Sequence, residues 1–244
     1  MKTGLYTVCY AVISNLAIAL CFVPFVLLGW RKMRQVNSFC VLGVYWLLNG
    51  LVNLTAQHFF QFEGSLSIAR HLNMYYNLAE TPLVLLAFAC AQSGTLRKQL
   101  LLVLLGFITG ESILIGLKGY NYSSSTMIIG SGLLLILAYS LVGLLQYLRK
   151  MEHTPLENSM VFVYASLLFA YGSFLIIYIF AHVRTTRSSG ENNDADSYLL
   201  YYISLLLSAI ITTAGLFAYG IRQPRRNRGR SAYPPAARYS SSSS

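Results

Sequence analysis

Apolar residues fall along this chain in seven long runs: Leu5–Gly29, Ser38–Phe60, Asn73–Gln92, Gln99–Leu117, Thr126–Leu148, Ser159–Val183 and Tyr198–Ile221. Short basic or Gly/Ser-rich breaks separate them. Each run is near the ~20 residues needed to cross a hydrocarbon core ~30 Å thick. Backbone in lipid must satisfy its own hydrogen bonds, so each run is expected to be a helix. The pattern predicts an all-α fold, a polytopic seven-transmembrane-helix bundle over residues 1–221. Residues 222–244, rich in Arg, Pro and Ser with no apolar period, predict a disordered tail. Lys2 precedes the first run as it would in a signal peptide. The run is too long for one, however, and Arg31, Lys32 and Arg34 follow it as a stop-transfer cluster, so it is taken as the first span.

Within the runs, the polar positions are the informative ones. Glu80 lies well inside the third run, where an ionised acid costs about 2.5–3.5 kcal/mol and marks a functional site by default. Asn73, Asn77 and Glu80 are spaced i, i+4 and i+7, which places them on one helical face with Thr81 beside it. In the second run Asn49, Asn53 and Gln57 form an amide stripe, and in the seventh Ser204, Ser208 and Thr212 form a seam of small polar residues. The fourth run carries Glu111 less than two turns from its end. At a rise of ~1.5 Å per residue, Asn53, Glu80, Glu111 and Ser208 are expected at a common depth below the outer surface, lining one pocket. No lysine or arginine lies deep in any run, so a neutral Glu80 donating to Asn53 is the arrangement that costs least. Tyr171 and Ser173, near the middle of the sixth run, are expected to face the bundle, and tyrosines near run ends read as interfacial anchors.

Composition agrees with the pattern, since 55% of residues are hydrophobic and only 11% charged, against about 25% charged in a soluble domain. The protein is read as a multi-pass protein of the plasma or cytoplasmic membrane. Its net charge of +10 would suit nucleic acid, but the distribution of that charge speaks against it. Basic residues cluster after the first, third, fifth and seventh runs, and the opposite side holds only Lys2, Arg70, Lys118, Arg184 and Arg187. The positive-inside bias then places the N-terminus outside and the C-terminus in the cytoplasm. Arg222, Arg225, Arg226, Arg228 and Arg230 abut the last span and are read as a contact with anionic lipid, at ~1 kcal/mol per basic residue. Cys9, Cys21, Cys40 and Cys90 lie within or at the ends of runs with no CxxC spacing, so neither an outer disulfide nor a metal site is expected. The triplet Asn121-Tyr122-Ser123 matches an N-glycosylation acceptor on the outer side. The acidic loop residues Glu191, Asp194 and Asp196 lack EF-hand spacing.

Glu80-Thr81-Pro82-Leu83 followed by Val-Leu-Leu resembles the third-helix Thr-Thr-Pro-Leu run of microbial rhodopsins, and Leu207-Ser208-Ala209-Ile210 is similar to that family's segment ending in the retinal lysine. The resemblance covers these two segments and the seven-span topology. It implies shared architecture without covalently bound retinal, because Ile210 stands at the lysine position and Tyr76 at that of a counterion aspartate. Enzyme readings lack parts: the histidines sit near run ends without convergent partners, and no serine has a recognisable base. The sequence is therefore read as a non-enzymatic membrane protein without a cofactor, whose outward-facing pocket serves a receptor, sensor or membrane partner and takes a cation or a small polar ligand. Two alternatives stand beside it. One is a proton- or cation-coupled small-solute transporter using Glu80 and Glu111; in the other, the polar groups only hold helices together. The apolar stretches Leu83–Phe88 and Leu100–Leu105 are expected to seal the inner half, which favours the receptor.

Overall fold

The structure, a computed structural model, describes residues 2–30, 33–57, 65–185 and 194–222. The helices are α1 (Lys2–Cys21), α2 (Val23–Trp30), α3 (Asn37–Ala56), α4 (Ser65–Ala91), α5 (Gly94–Lys118), α6 (Tyr122–Arg149), α7 (Pro155–Thr185) and α8 (Asp194–Arg222). A 3-10 turn at Met33–Gln35 precedes α3, and no strand occurs among the described residues. Seven spans in this set are long and apolar enough to cross a membrane, with α1 and α2 together forming the first. Of the tail, Arg225, Arg226, Arg228 and Arg230 lie outside the described residues, as does Glu191, and of Arg222 only the helical backbone is described.

Two prolines inside spans behave differently. Proline has no N–H and its ring crowds the carbonyl four residues back. At Pro24 the first span breaks at Phe22, whose N–H turns to Ala19 O at 3.3 Å before the helix resumes. Pro82, by contrast, lies within an unbroken α4. That helix begins eight residues before the expected Asn73, so Glu80 stands about four turns from its start instead of two. The earlier start takes in Arg70 and His71, which a hydropathy pattern discards.

Six spans close a ring. The first packs on α3 and α8, α3 on α4, α4 on α6, α6 on α7, and α7 on α8. Small residues make the closest approaches. Ser166 Oγ meets Thr212 Oγ1 at 2.7 Å, Ser208 Oγ donates to Ser166 O at 3.1 Å, and Ser159 Oγ donates to Gly215 O, joining α7 to α8. Between α4 and α6, a Cβ on Gly132 would overlap the Thr81 hydroxyl, so only glycine permits this spacing beside Glu80.

The fifth helix stands outside the ring, against α4 and lightly against α6. Only 11% of its apolar window is buried, against 33% to 50% in the other spans. Leu101, Leu102 and Leu105 face outward, so the expectation that Leu100–Leu105 seals the interior is corrected: Leu100 alone is buried. On α4, Val84, Leu85, Ala87 and Phe88 are buried, while Leu83 and Leu86 are partly exposed. Val84, Leu85 and Phe88 join Phe39, Leu42 and Trp46 in an apolar core.

Candidate functional site

A cavity of about 360 Å³ opens at Glu80 between α3, α4, α6, α7 and α8. Asn49, Asn73, Asn77, Glu80 and Thr81 supply its polar wall, and Tyr76, Tyr171, Phe174, Tyr178 and Tyr201 its aromatic one. The i, i+4, i+7 spacing on α4 works as expected and turns Asn73, Asn77 and Glu80 to one side. Near the α5–α6 turn, Asn77 Nδ2 donates to Tyr120 OH at 3.4 Å, and Tyr120 OH lies 3.4 Å from Ser125 Oγ. The cavity thus reaches toward the end of the bundle formed by that turn. There Asn121 caps α6 by accepting from Ser124 N at 2.9 Å, while its own amide nitrogen donates to Lys118 O at 3.0 Å.

The Glu80 carboxyl is held from across the bundle. Tyr171 OH on α7 donates to Glu80 Oε1 at 2.6 Å and stands 3.2 Å from Tyr45 OH on α3. Tyr45 and Tyr171 are both almost fully buried, so the chain Tyr45–Tyr171–Glu80 ties three helices at one level. The expected Glu80–Asn53 bond is not formed: Asn53 Nδ2 donates to Asn49 O at 2.9 Å and to Asn49 Oδ1 at 2.7 Å. An amide four residues away on the same helix is nearer than a carboxyl on the next one. Asn53 is therefore held by Asn49 on α3 with Tyr201 of α8 as a further partner, and Asn49 reaches the cavity in its place.

Other expected members of the pocket lie elsewhere. Glu111 lines a separate apolar groove of about 550 Å³ between α5 and α6, together with Gly106 and Gly110. It is 8% exposed, and its Oε1 has no hydrogen-bond partner. Equal depth placed Glu80 and Glu111 together in sequence, but the position of α5 outside the ring separates them. Ser204 donates to Leu200 O on its own helix at 2.9 Å, and Ser208 belongs to the α7–α8 seam. Gln57 ends α3 as its C-cap and stands away from the cavity. Ser173 turns back to Phe169 O at 2.9 Å, whereas Tyr171 faces the interior as expected. Ile210 is 46% exposed on the outside of the bundle.

Toward the opposite end the cavity stops at the packed layer of Leu85 and Phe88. Beyond that layer lies a smaller cavity of about 120 Å³ that sequence reasoning missed, lined by Gln92, Gln146, Lys150, His153, Glu157 and Tyr164 among others. Gln92 Nε2 donates to Tyr164 OH at 3.0 Å, the Tyr147 and His153 rings stack at 3.8 Å, and Lys150 Nζ pairs with Glu157 Oε1 at 2.6 Å. These residues sit at run ends, where polar side chains are ordinary, so nothing in their spacing marks them.

No group of three or more His, Cys, Asp or Glu side chains suited to a metal occurs among the described residues, and the four cysteines are free. No family model matches the chain, and neither curated proteins nor solved structures give a match.

Proposed function

We propose that this protein is a non-enzymatic multi-pass membrane protein of receptor or sensor type, which receives a small polar ligand at Glu80. The observation that carries the reading is the 360 Å³ cavity: it surrounds an acid in mid-span, reaches toward one end of the bundle and stops at an apolar layer. Its volume falls within the ~300–1,000 Å³ of small-molecule sites, and its walls combine aromatic surface with a few convergent polar groups. A ligand that engages the carboxyl competes for the hydroxyl of Tyr171. It thereby acts on the Tyr45–Tyr171–Glu80 chain, which biases how α3, α4 and α7 pack. In this reading the N-terminus and the mouth of the cavity are outside, and the basic loops and arginine tail are cytoplasmic, against anionic lipid.

A transporter reading is favoured by one observation: the second polar cavity lies on the same helices α4, α6 and α7, past a layer that includes the edge-on Phe88–Tyr164 pair at 5.0 Å. Sided labelling separates the two. In a chain with its four cysteines replaced, Asn77→Cys is expected to react with a membrane-impermeant thiosulfonate from outside only. Reaction from both faces would favour transport. No reaction from either face would leave these polar groups as helix glue and refute the pocket.

A further inference from the structure

We infer that the ligand of this pocket is a small organic ammonium ion, held by Glu80 inside a wall of aromatic rings; this rests on the reading of the cavity as a ligand site. The first reason is charge. Among the fourteen residues lining the cavity there is one carboxyl and no lysine, arginine or histidine. Among the described residues the one ion pair, Lys150–Glu157, belongs to the other cavity. Without a ligand the carboxyl is cheapest in its neutral form, and because the protein supplies no cation here, a ligand cation is what lets it ionise in place. An anionic ligand would meet only repulsion.

The second reason is the wall facing that charge. Tyr76, Tyr171, Phe174, Tyr178 and Tyr201 border the cavity, with Phe174 stacked on Tyr201 at 5.0 Å and 26° and edge-on to Tyr171 at 5.7 Å. Ring faces attract a cation through their quadrupole, most strongly where water is excluded. A neutral polar ligand would need hydrogen-bond donors for the carboxyl but gain nothing special from five rings. A bare divalent metal ion is poorly served too, because the site offers a single carboxyl against its double charge. An ammonium group satisfies both walls at once. Asn49, Asn73 and Asn77 are left to bond a hydroxyl or further N–H of the same molecule.

The test uses the full chain in lipid nanodiscs and four probes. Choline and phenethylammonium carry the charge, and 3,3-dimethylbutan-1-ol and 2-phenylethanol are their neutral counterparts. Binding is measured by calorimetry and by the shift in melting temperature. At least one ammonium probe is expected to bind ten times or more tighter than its neutral counterpart, and Glu80→Gln is expected to remove that preference. Should Glu80→Gln fail to fold, Phe174→Leu serves instead, with about a threefold or larger loss confined to the ammonium probe. Equal binding of charged and neutral probes, or no binding of either ammonium probe while Asn77→Cys remains reactive from outside, would overturn the ammonium assignment and leave the pocket standing. Loss of both binding and Asn77→Cys reactivity would overturn the pocket itself.

Discussion

Replacing Tyr171 with phenylalanine removes one oxygen atom and no packing volume, so its cost reads the hydrogen-bond chain at Glu80 almost alone. Tyr171 OH serves two partners, Glu80 Oε1 at 2.6 Å and Tyr45 OH at 3.2 Å. A buried group deprived of its partner loses roughly 1–3 kcal/mol. Tyr45 is 1% exposed and keeps only the Asn49 side chain, whereas Glu80 keeps Tyr76 and borders a cavity where water can replace the lost donor. The expected total is therefore about 2 kcal/mol, not twice the upper value for one group. Unfolding by SDS in mixed micelles, followed by the fluorescence of buried Trp46, measures it. Because Tyr45 and Tyr171 share one contact, the double variant Tyr45→Phe/Tyr171→Phe should cost less than the two single changes summed, with a coupling of about 1 kcal/mol. A single-variant loss under about 0.5 kcal/mol, or strict additivity, would refute the chain as drawn.

Three further outcomes follow from named contacts. Glu111→Leu should raise stability by about 1–3 kcal/mol in the same SDS titration and leave binding at Glu80 unchanged, because it removes a buried oxygen without a partner in a separate groove. Gly132→Ala should cost about 1–3 kcal/mol, since its Cβ meets the Thr81 hydroxyl; pairing it with Thr81→Gly should recover much of the loss. Lys150→Ala should change stability by less than about 1 kcal/mol and less still in high salt, because the two partners are 50% and 37% exposed.

The seven spans were legible because lipid allows the backbone few alternatives, and hydropathy measures the property that selects them. The polar face of α4 was legible for a similar reason, since helical spacing alone turns Asn77, Glu80 and Thr81 to one side. The partner of Glu80 was not. Tyr171 was expected inside from its mid-run position, but not its bond to Glu80; Tyr178 and Tyr201 carry the same residue type as tyrosines at a membrane interface, and only the closing of the ring brings them to the cavity. Asn53 misled because an amide stripe has two ways to be satisfied, across helices or along its own, and here Asn49 provides the second. Glu111 misled because sequence gives depth along a helix but not lateral position. Nothing in the run from Gln99 to Leu117 shows that α5 stands outside the ring, although its open glycines Gly106 and Gly110 agree with that placement.

The central claim, that a carboxyl midway along α4 meets α7 beside a cavity open toward one end of the bundle, is tested most directly by isotope-edited infrared spectroscopy of the Glu80 carboxyl. A carboxyl band absent in Glu80→Gln should shift when Tyr171 is replaced by phenylalanine and shift again when an ammonium probe is added to the wild-type chain. A Glu80 band that stays in place in Tyr171→Phe would contradict the account.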